Sequence, residues 1–167
     1  RGPSDRLTPE MLESKRALLS EENYRWLYLT VWLGLRPMEA DKISDPKFGY
    51  KLETDGKRKV AFVHIYQSKL KSVAEEKRWK FIPLIFEEQR RIPEMLVMPL
   101  KRPNNKTLRK AFGPLVRGYA GRKNFTDLML DKGRKIEEIS SWLGHSTIDT
   151  TWKFYKGKDK LTLLDKA

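Results

Sequence analysis

Two arginines, a loop histidine and a late tyrosine are the groups that metal-free cleavage of a phosphodiester by a tyrosine oxygen would require, and this chain carries all four. Arg36 stands in Gly34-Leu35-Arg36-Pro37-Met38-Glu39, Arg122 in Tyr119-Ala120-Gly121-Arg122, and His145 in Leu143-Gly144-His145; Tyr155 is the one tyrosine after His145. A planar guanidinium can bind two non-bridging phosphate oxygens and stabilise the charge that builds up during displacement. Attack by a tyrosine oxygen would leave a 3′-phosphotyrosyl link that conserves bond energy for rejoining, so no ATP, metal or other cofactor is expected. Cysteine is absent and the only histidines are His64 and His145. That composition excludes disulfides, thiolate metal sites and a histidine-rich metal cluster.

The elements that must position these groups are legible from punctuation and periodicity. Thr8-Pro9-Glu10 reads as cap, first-turn proline and first-turn acid of a helix running to about Leu19, and Ser20-Glu21-Glu22 repeats the signal. The second helix, with Trp26, Leu29, Val31, Trp32 and Leu33, is too apolar for an exposed face and should end near Gly34 in the core. Pro37 restarts a short helix just after Arg36. Residues 47 to 59 read as a loop or short hairpin. Val60 to Tyr66 and Trp79 to Leu84 read as strands of a β-hairpin, joined by a lysine-rich polar turn. Helices are predicted at about 86 to 97, 105 to 117, 123 to 132, 135 to 143 and 147 to 156, with Ser146 or Thr147 capping the last and the gaps marked by Pro99, Pro103, Gly118, Gly121, Gly133 and Gly144. The fold class is therefore α+β, mainly α-helical with a small antiparallel sheet or hairpin.

Composition bounds the partner. The 167 residues, 39% hydrophobic with 18 aromatics, suit one domain with a real core. A net charge of +13 and a pI of about 9.9 favour a polyanion, with nucleic acid the default. Between Lys101 and Thr126 there are eight Lys/Arg and no Asp or Glu. Lys101, Arg102, Lys106, Arg109, Lys110 and Lys123 in this stretch are expected to contact the DNA backbone, together with Lys71 in the hairpin turn. No apolar run approaches a membrane span and the amino end lacks a signal-peptide pattern, which points to an intracellular, DNA-associated chain with no membrane. Few Asn and Gln, no Cys and many charges lean toward a heat-adapted source.

The order of these strings, from about Leu7 to Tyr155, resembles the catalytic domain of tyrosine recombinases, the phage-integrase family. The resemblance implies the DNA breaking-rejoining fold and site-specific recombination or integration on double-stranded DNA, by a homo-tetramer on DNA that could be a monomer without it. It implies that residues 1 to 167 form the catalytic domain alone, without the usual amino-terminal core-binding domain, and that the lysine-rich tail after Tyr155 docks on a neighbouring protomer. By the same resemblance Arg36 and Arg122 clamp the phosphate, Glu39 orients Arg36, Lys69 of Gln67-Ser68-Lys69 is the general acid for the 5′ oxygen, His145 hydrogen-bonds the phosphate, and Tyr155 is the nucleophile. Lys71 competes with Lys69. Two positions depart from the family. Tyr119 replaces the usual histidine, and a phenol donates a hydrogen bond more readily than it accepts a proton near neutrality; some archaeal virus and plasmid integrases share such a departure. Tyr155 stands ten residues after His145 where the family usually has nine. Two other readings stay open: a type IB topoisomerase, which lacks support because Trp152-Lys153-Phe154 precedes the tyrosine, and a DNA-binding module that has lost catalysis.

Overall fold

The computed structural model describes residues 5–55, 60–145 and 147–153. Thr8 caps α1 (Pro9–Ser14), its hydroxyl accepting the Met11 N–H at 3.1 Å. Leu19 is extended, at φ −117° and ψ 147°, which sets Ser20 as the next cap. The chain therefore tightens into a 3₁₀ turn at Arg16–Leu18 instead of continuing as one helix to Leu19.

The second helix, α2 (Glu21–Leu33), is buried from Asn23 to Leu33 without a break, as its all-round apolar surface dictates. Trp26, Leu27, Leu29, Val31 and Leu33 are fully buried, each contributing about 1.5–3 kcal/mol of apolar burial. Polar atoms on this helix find partners: Trp26 Nε1 donates to Asp41 at 3.0 Å, Tyr24 donates to Glu13, and Arg25 Nε donates to the Pro99 carbonyl. Gly34, at φ 65°, stops the helix in the left-handed conformation. Arg36 then caps α3 (Pro37–Asp41).

Three strands follow. β1 (Tyr50–Asp55) lies where the sequence reads as a loop or short hairpin, and pairs antiparallel with β2 (Val60–Tyr66), which pairs antiparallel with β3 (Trp79–Leu84). The sheet order is β1-β2-β3. Strand alternation turns Val63 and Ile65 of β2, and Lys80, Ile82 and Leu84 of β3, inward.

The remaining helices are α4 (Ile92–Leu96), preceded by a 3₁₀ turn at Glu87–Arg91, α5 (Asn105–Phe112), α6 (Ala120–Asp131), α7 (Ile136–Leu143) and α8 (Ile148–Lys153). α5 is shorter than the sequence suggested because Gly113 and Pro114 interrupt it. α6 starts earlier, so Gly121 lies inside its first turn rather than in a gap. A Cβ there would fall 2.5 Å from Thr30 Oγ1 and 2.9 Å from the Val31 nitrogen of α2. The glycine is a close-approach residue, letting α6 press against α2 and carrying Arg122 with it. Ser146, one of the two expected caps of α8, lies outside the described residues. None of the described helices is long and apolar enough to cross a membrane.

Candidate active site

Four segments separated in sequence converge on one cavity of about 300 Å³, lined by Arg36, Lys69, Tyr119, Arg122, Lys123 and His145, with Thr150 and Thr151 of α8. Among the described residues no Asp or Glu lines it. A larger cleft of about 580 Å³ beside Tyr28 and Trp32 is lined by Glu10, Glu13, Glu87, Glu88 and Glu94 with Arg90 and Arg91, a net negative wall that disfavours phosphate. The cationic cavity is suited to an anion.

Each side chain is delivered by a recognisable device. Arg36 follows the left-handed Gly34 and is half-buried; its backbone N–H donates to Glu39 Oε1 at 2.9 Å and its Nη1 to Glu39 Oε2 at 3.0 Å. Glu39 is itself buried. Burial alone would raise its pKa, but Lys80, with Arg122 and Arg36 beyond, outweighs that and holds the carboxyl below its ordinary value. Glu39 is therefore a carboxylate.

Arg122 is held between the carboxyl ends of two helices. Nη1 donates to the Gly34 carbonyl at 2.8 Å, after α2, and Nη2 donates to the Leu143 carbonyl at 3.3 Å, in the last turn of α7. Unpaired carbonyls at helix ends attract a cation. Burial, then Arg36, push the Arg122 pKa down to about 10, with Glu39 opposing, and the guanidinium remains charged at neutral pH.

His145 follows Gly144, which ends α7 at φ 77°. Its Nε2 lies 3.2 Å from Arg122 Nη2, and its Nδ1 lies 2.8 Å from Thr151 Oγ1. Arg122 can only donate, so Nε2 must accept; the ring proton is therefore on Nδ1 and points at Thr151. Burial, then Arg122, Arg36 and Lys80, push the His145 pKa down to about 4. The imidazole is neutral and turns a lone pair, not a proton, toward Arg122.

The turn between β2 and β3 is braced by Arg78, whose Nε donates to the Val73 carbonyl at 2.7 Å and Nη2 to the Lys71 carbonyl at 3.1 Å. Ser68 Oγ sits 3.2 Å from Met38 Sδ, tying the turn to α3. Lys69 faces the cavity; Lys71 does not line it. Tyr119 caps α6 from the cavity wall, and is 41% exposed. Tyr155, together with Phe154 and the lysine-rich tail, lies outside the described residues.

Of the basic residues assigned to DNA, Lys101, Lys106, Arg109 and Lys110 are exposed, on and before α5, and Lys123 lines the cavity. Arg102 differs from its neighbours: it makes a two-pronged ion pair with Asp41 and lies over the Trp26 ring. Its charge is answered inside the protein.

The sequence reading missed Lys80. Its side chain is 2% exposed, and Nζ donates to Glu39 Oε1 at 2.9 Å and to the Leu143 carbonyl at 3.4 Å. Burial pushes its pKa down to about 8, Glu39 opposing and Arg122 and Arg36 adding to the push. The signal was present in the strand: Lys80 continues the inward row of Ile82 and Leu84 at period two.

Among solved structures, the chain is similar to the XerH site-specific recombinase bound to palindromic difH substrate, in a post-cleavage complex, at 16% identity and TM-score 0.61, covering 99% of this chain and 53% of that one. It is similar also to the Tn1549 transposon integrase in complex with transposon right-end DNA, at 16% identity and TM-score 0.60, covering 99% of this chain and 67% of that one. The chain has the tyrosine recombinase catalytic-domain fold. It spans about half to two thirds of the length of these recombinases. No protein-family model and no curated protein matches the sequence. The tyrosine recombinase fold explains why α2, α6 and α7 meet where they do: their ends and first turns frame the cationic cavity.

Proposed function

We propose that this chain is the catalytic part of a tyrosine recombinase or integrase that cuts and rejoins double-stranded DNA without metal. The observation that carries the reading is the meeting of Arg36 and Arg122 with Lys69, Tyr119 and His145 around one cavity that no carboxylate lines among the described residues. The exposed Lys101, Lys106, Arg109 and Lys110 add positive surface for a duplex, and the recombinases of like fold were solved on DNA.

In this reading the scissile phosphate enters the cavity and takes N–H groups of Arg36 and Arg122. The Tyr155 oxygen forms a bond to phosphorus while the bond to the 5′ oxygen breaks. Lys69 gives its proton to the departing 5′ oxygen. Tyr119, a donor, hydrogen-bonds a phosphate oxygen. For His145 the geometry favours a task other than donating to phosphate: once phosphate engages Arg122, the free Nε2 lone pair can take the Tyr155 proton. Attack by another strand's 5′ hydroxyl on the phosphotyrosyl link reverses these transfers and completes exchange, within a tetramer on DNA.

The test is a library of nicked, random-sequence duplexes incubated with the protein in EDTA, with covalent adducts selected by their survival in detergent. Adducts are expected from the wild type and none from Tyr155→Phe. Binding that weakens steeply with salt, with no adduct from any library member, would leave a DNA-binding module and refute cleavage. Supercoil relaxation without sequence preference would point to the topoisomerase instead.

A further inference from the structure

Lys80 is the charged residue that strand pairing turns into the interior, opposite Ile65 and in line with Ile82 and Leu84. An ammonium removed from water is costly, and an apolar side chain of similar volume is often at least as stable in such a place. Packing therefore gives no reason for a lysine here. Its partners do. Glu39 Oε1 is shared by Lys80 Nζ and the Arg36 backbone N–H, while Oε2 takes the Arg36 guanidinium. The Leu143 carbonyl is shared by Lys80 Nζ and Arg122 Nη2. One ammonium thus touches the acceptor that aims Arg36 and an acceptor that holds Arg122.

We propose that Lys80 is a positioning residue, which ties Glu39 to the Leu143 carbonyl so that Arg36 and Arg122 keep a fixed separation and leaves both guanidinium charges uncancelled for the phosphate. The second part is charge arithmetic. The groups facing Nζ are Glu39 on α3, Arg36 at its cap, Arg122 on α6 and His145 after α7. His145 is neutral, so Lys80 offsets Glu39 and the cluster retains the two arginine charges. Without the ammonium, Glu39 would cancel one of them just as the phosphate gains negative charge in the transition state. Lys80 does not line the cationic cavity and acts through Glu39 and Leu143. This inference rests on the reading that the two arginines hold a phosphate.

The test compares wild type with Lys80→Met, which keeps length and burial but removes charge, using the nicked duplexes selected above. With folding verified by a cooperative thermal melt, Lys80→Met should bind DNA within about threefold of wild type, while single-turnover adduct formation falls by about tenfold or more. Adding Glu39→Gln should slow cleavage by less than the product of the two single losses, because the uncancelled carboxylate is then gone. Wild-type cleavage by Lys80→Met, or a double-variant loss equal to the product of the single losses, would overturn the proposal. If Lys80→Met fails to fold, Lys80→Arg decides: a folded, active protein supports a charge at this position, and a second failure makes Lys80 a folding requirement and overturns it. A wild type that forms no adduct would refute the cleavage reading by itself. In that case side-chain ¹⁵N spectra without DNA still test the lock. The Arg36 N–H signals should be sharp in wild type and broadened in Lys80→Met, and unchanged signals would refute it.

Discussion

Replacing Glu39 by Gln keeps the shape of the side chain and removes the one anion that faces Lys80. In the native protein Lys80 is held at about 8 against an ordinary 10.5, a displacement that costs roughly 3 kcal/mol at neutral pH. In Glu39→Gln only burial and the two arginines remain around it, all of which favour the neutral amine. Lys80 then loses its proton, and holding an ordinary lysine neutral near pH 7 costs about 5 kcal/mol. The difference assigned to Lys80 is therefore about 1–2 kcal/mol, to which the weakened bonds to the Arg36 N–H groups add about 1–2 kcal/mol. The sign follows from proton counting. A lysine with a depressed folded pKa binds fewer protons in the native state, so stability rises with pH between its folded and unfolded values. For wild type that window opens at about 8; for the variant it opens lower. Urea denaturation of both proteins from about pH 6 to about pH 9 should thus show a gap that widens by about 1.4 kcal/mol per unit below 8, and that shrinks above 8 to the Arg36 contribution alone. Other titrations are common to the two proteins and cancel. Parallel curves, with a gap independent of pH, would refute the coupling between Glu39 and Lys80.

Other perturbations separate the remaining parts of the site. Gly34→Ala puts a methyl 2.6 Å from the Phe125 ring at φ 65° and should cost about 2–5 kcal/mol by urea denaturation, whereas Gly133→Ala, with nothing near, should cost only about 1 kcal/mol; equal losses would discount the core contact. Arg122→Lys cannot reach two helix-end carbonyls and a phosphate at once, and single-turnover cleavage should drop by about 100-fold or more with the melt little changed. Lys69→Ala should be rescued by a 5′-thio leaving group, while Lys71→Ala should cleave normally; the reverse pattern would move the general acid to Lys71. If His145 is the base proposed above, its neutral imidazole is the active form, and kcat/KM should hold as pH falls below the ordinary histidine value of 6.5 and decline only toward about 4. An acid limb centred at the ordinary value would contradict the buried, arginine-facing ring.

How much of this was legible in the chain depended on how local the cause was. Caps at Thr8 and Ser20, the stop at Gly34 and the restart at Pro37 are decided within one turn of backbone, and they appear where the residues place them. Lys69 was nominated by its string but could not be separated from Lys71, because only the bracing of the turn by Arg78 turns one toward the cavity. The stretch holding β1 reads only as loop or short hairpin because Gly49, Asp55 and scattered lysines hide a strand whose stability comes from its partner β2. Gly121 was read as punctuation, since a glycine forced by a neighbouring helix cannot be told from a helix breaker without knowing that α2 lies against it. Lys80 was overlooked among many lysines, although the alternation Lys80-Phe81-Ile82-Pro83-Leu84 was in plain view.

The hydrogen bond from His145 to Thr151 has a bearing on timing. Arg122, which can only donate, leaves the ring proton on Nδ1, and the partner of that proton is the Thr151 hydroxyl on α8. If His145 is the base proposed above, the ring is ready only while α8 is packed against it, because Thr151 on that helix accepts the hydrogen bond from Nδ1.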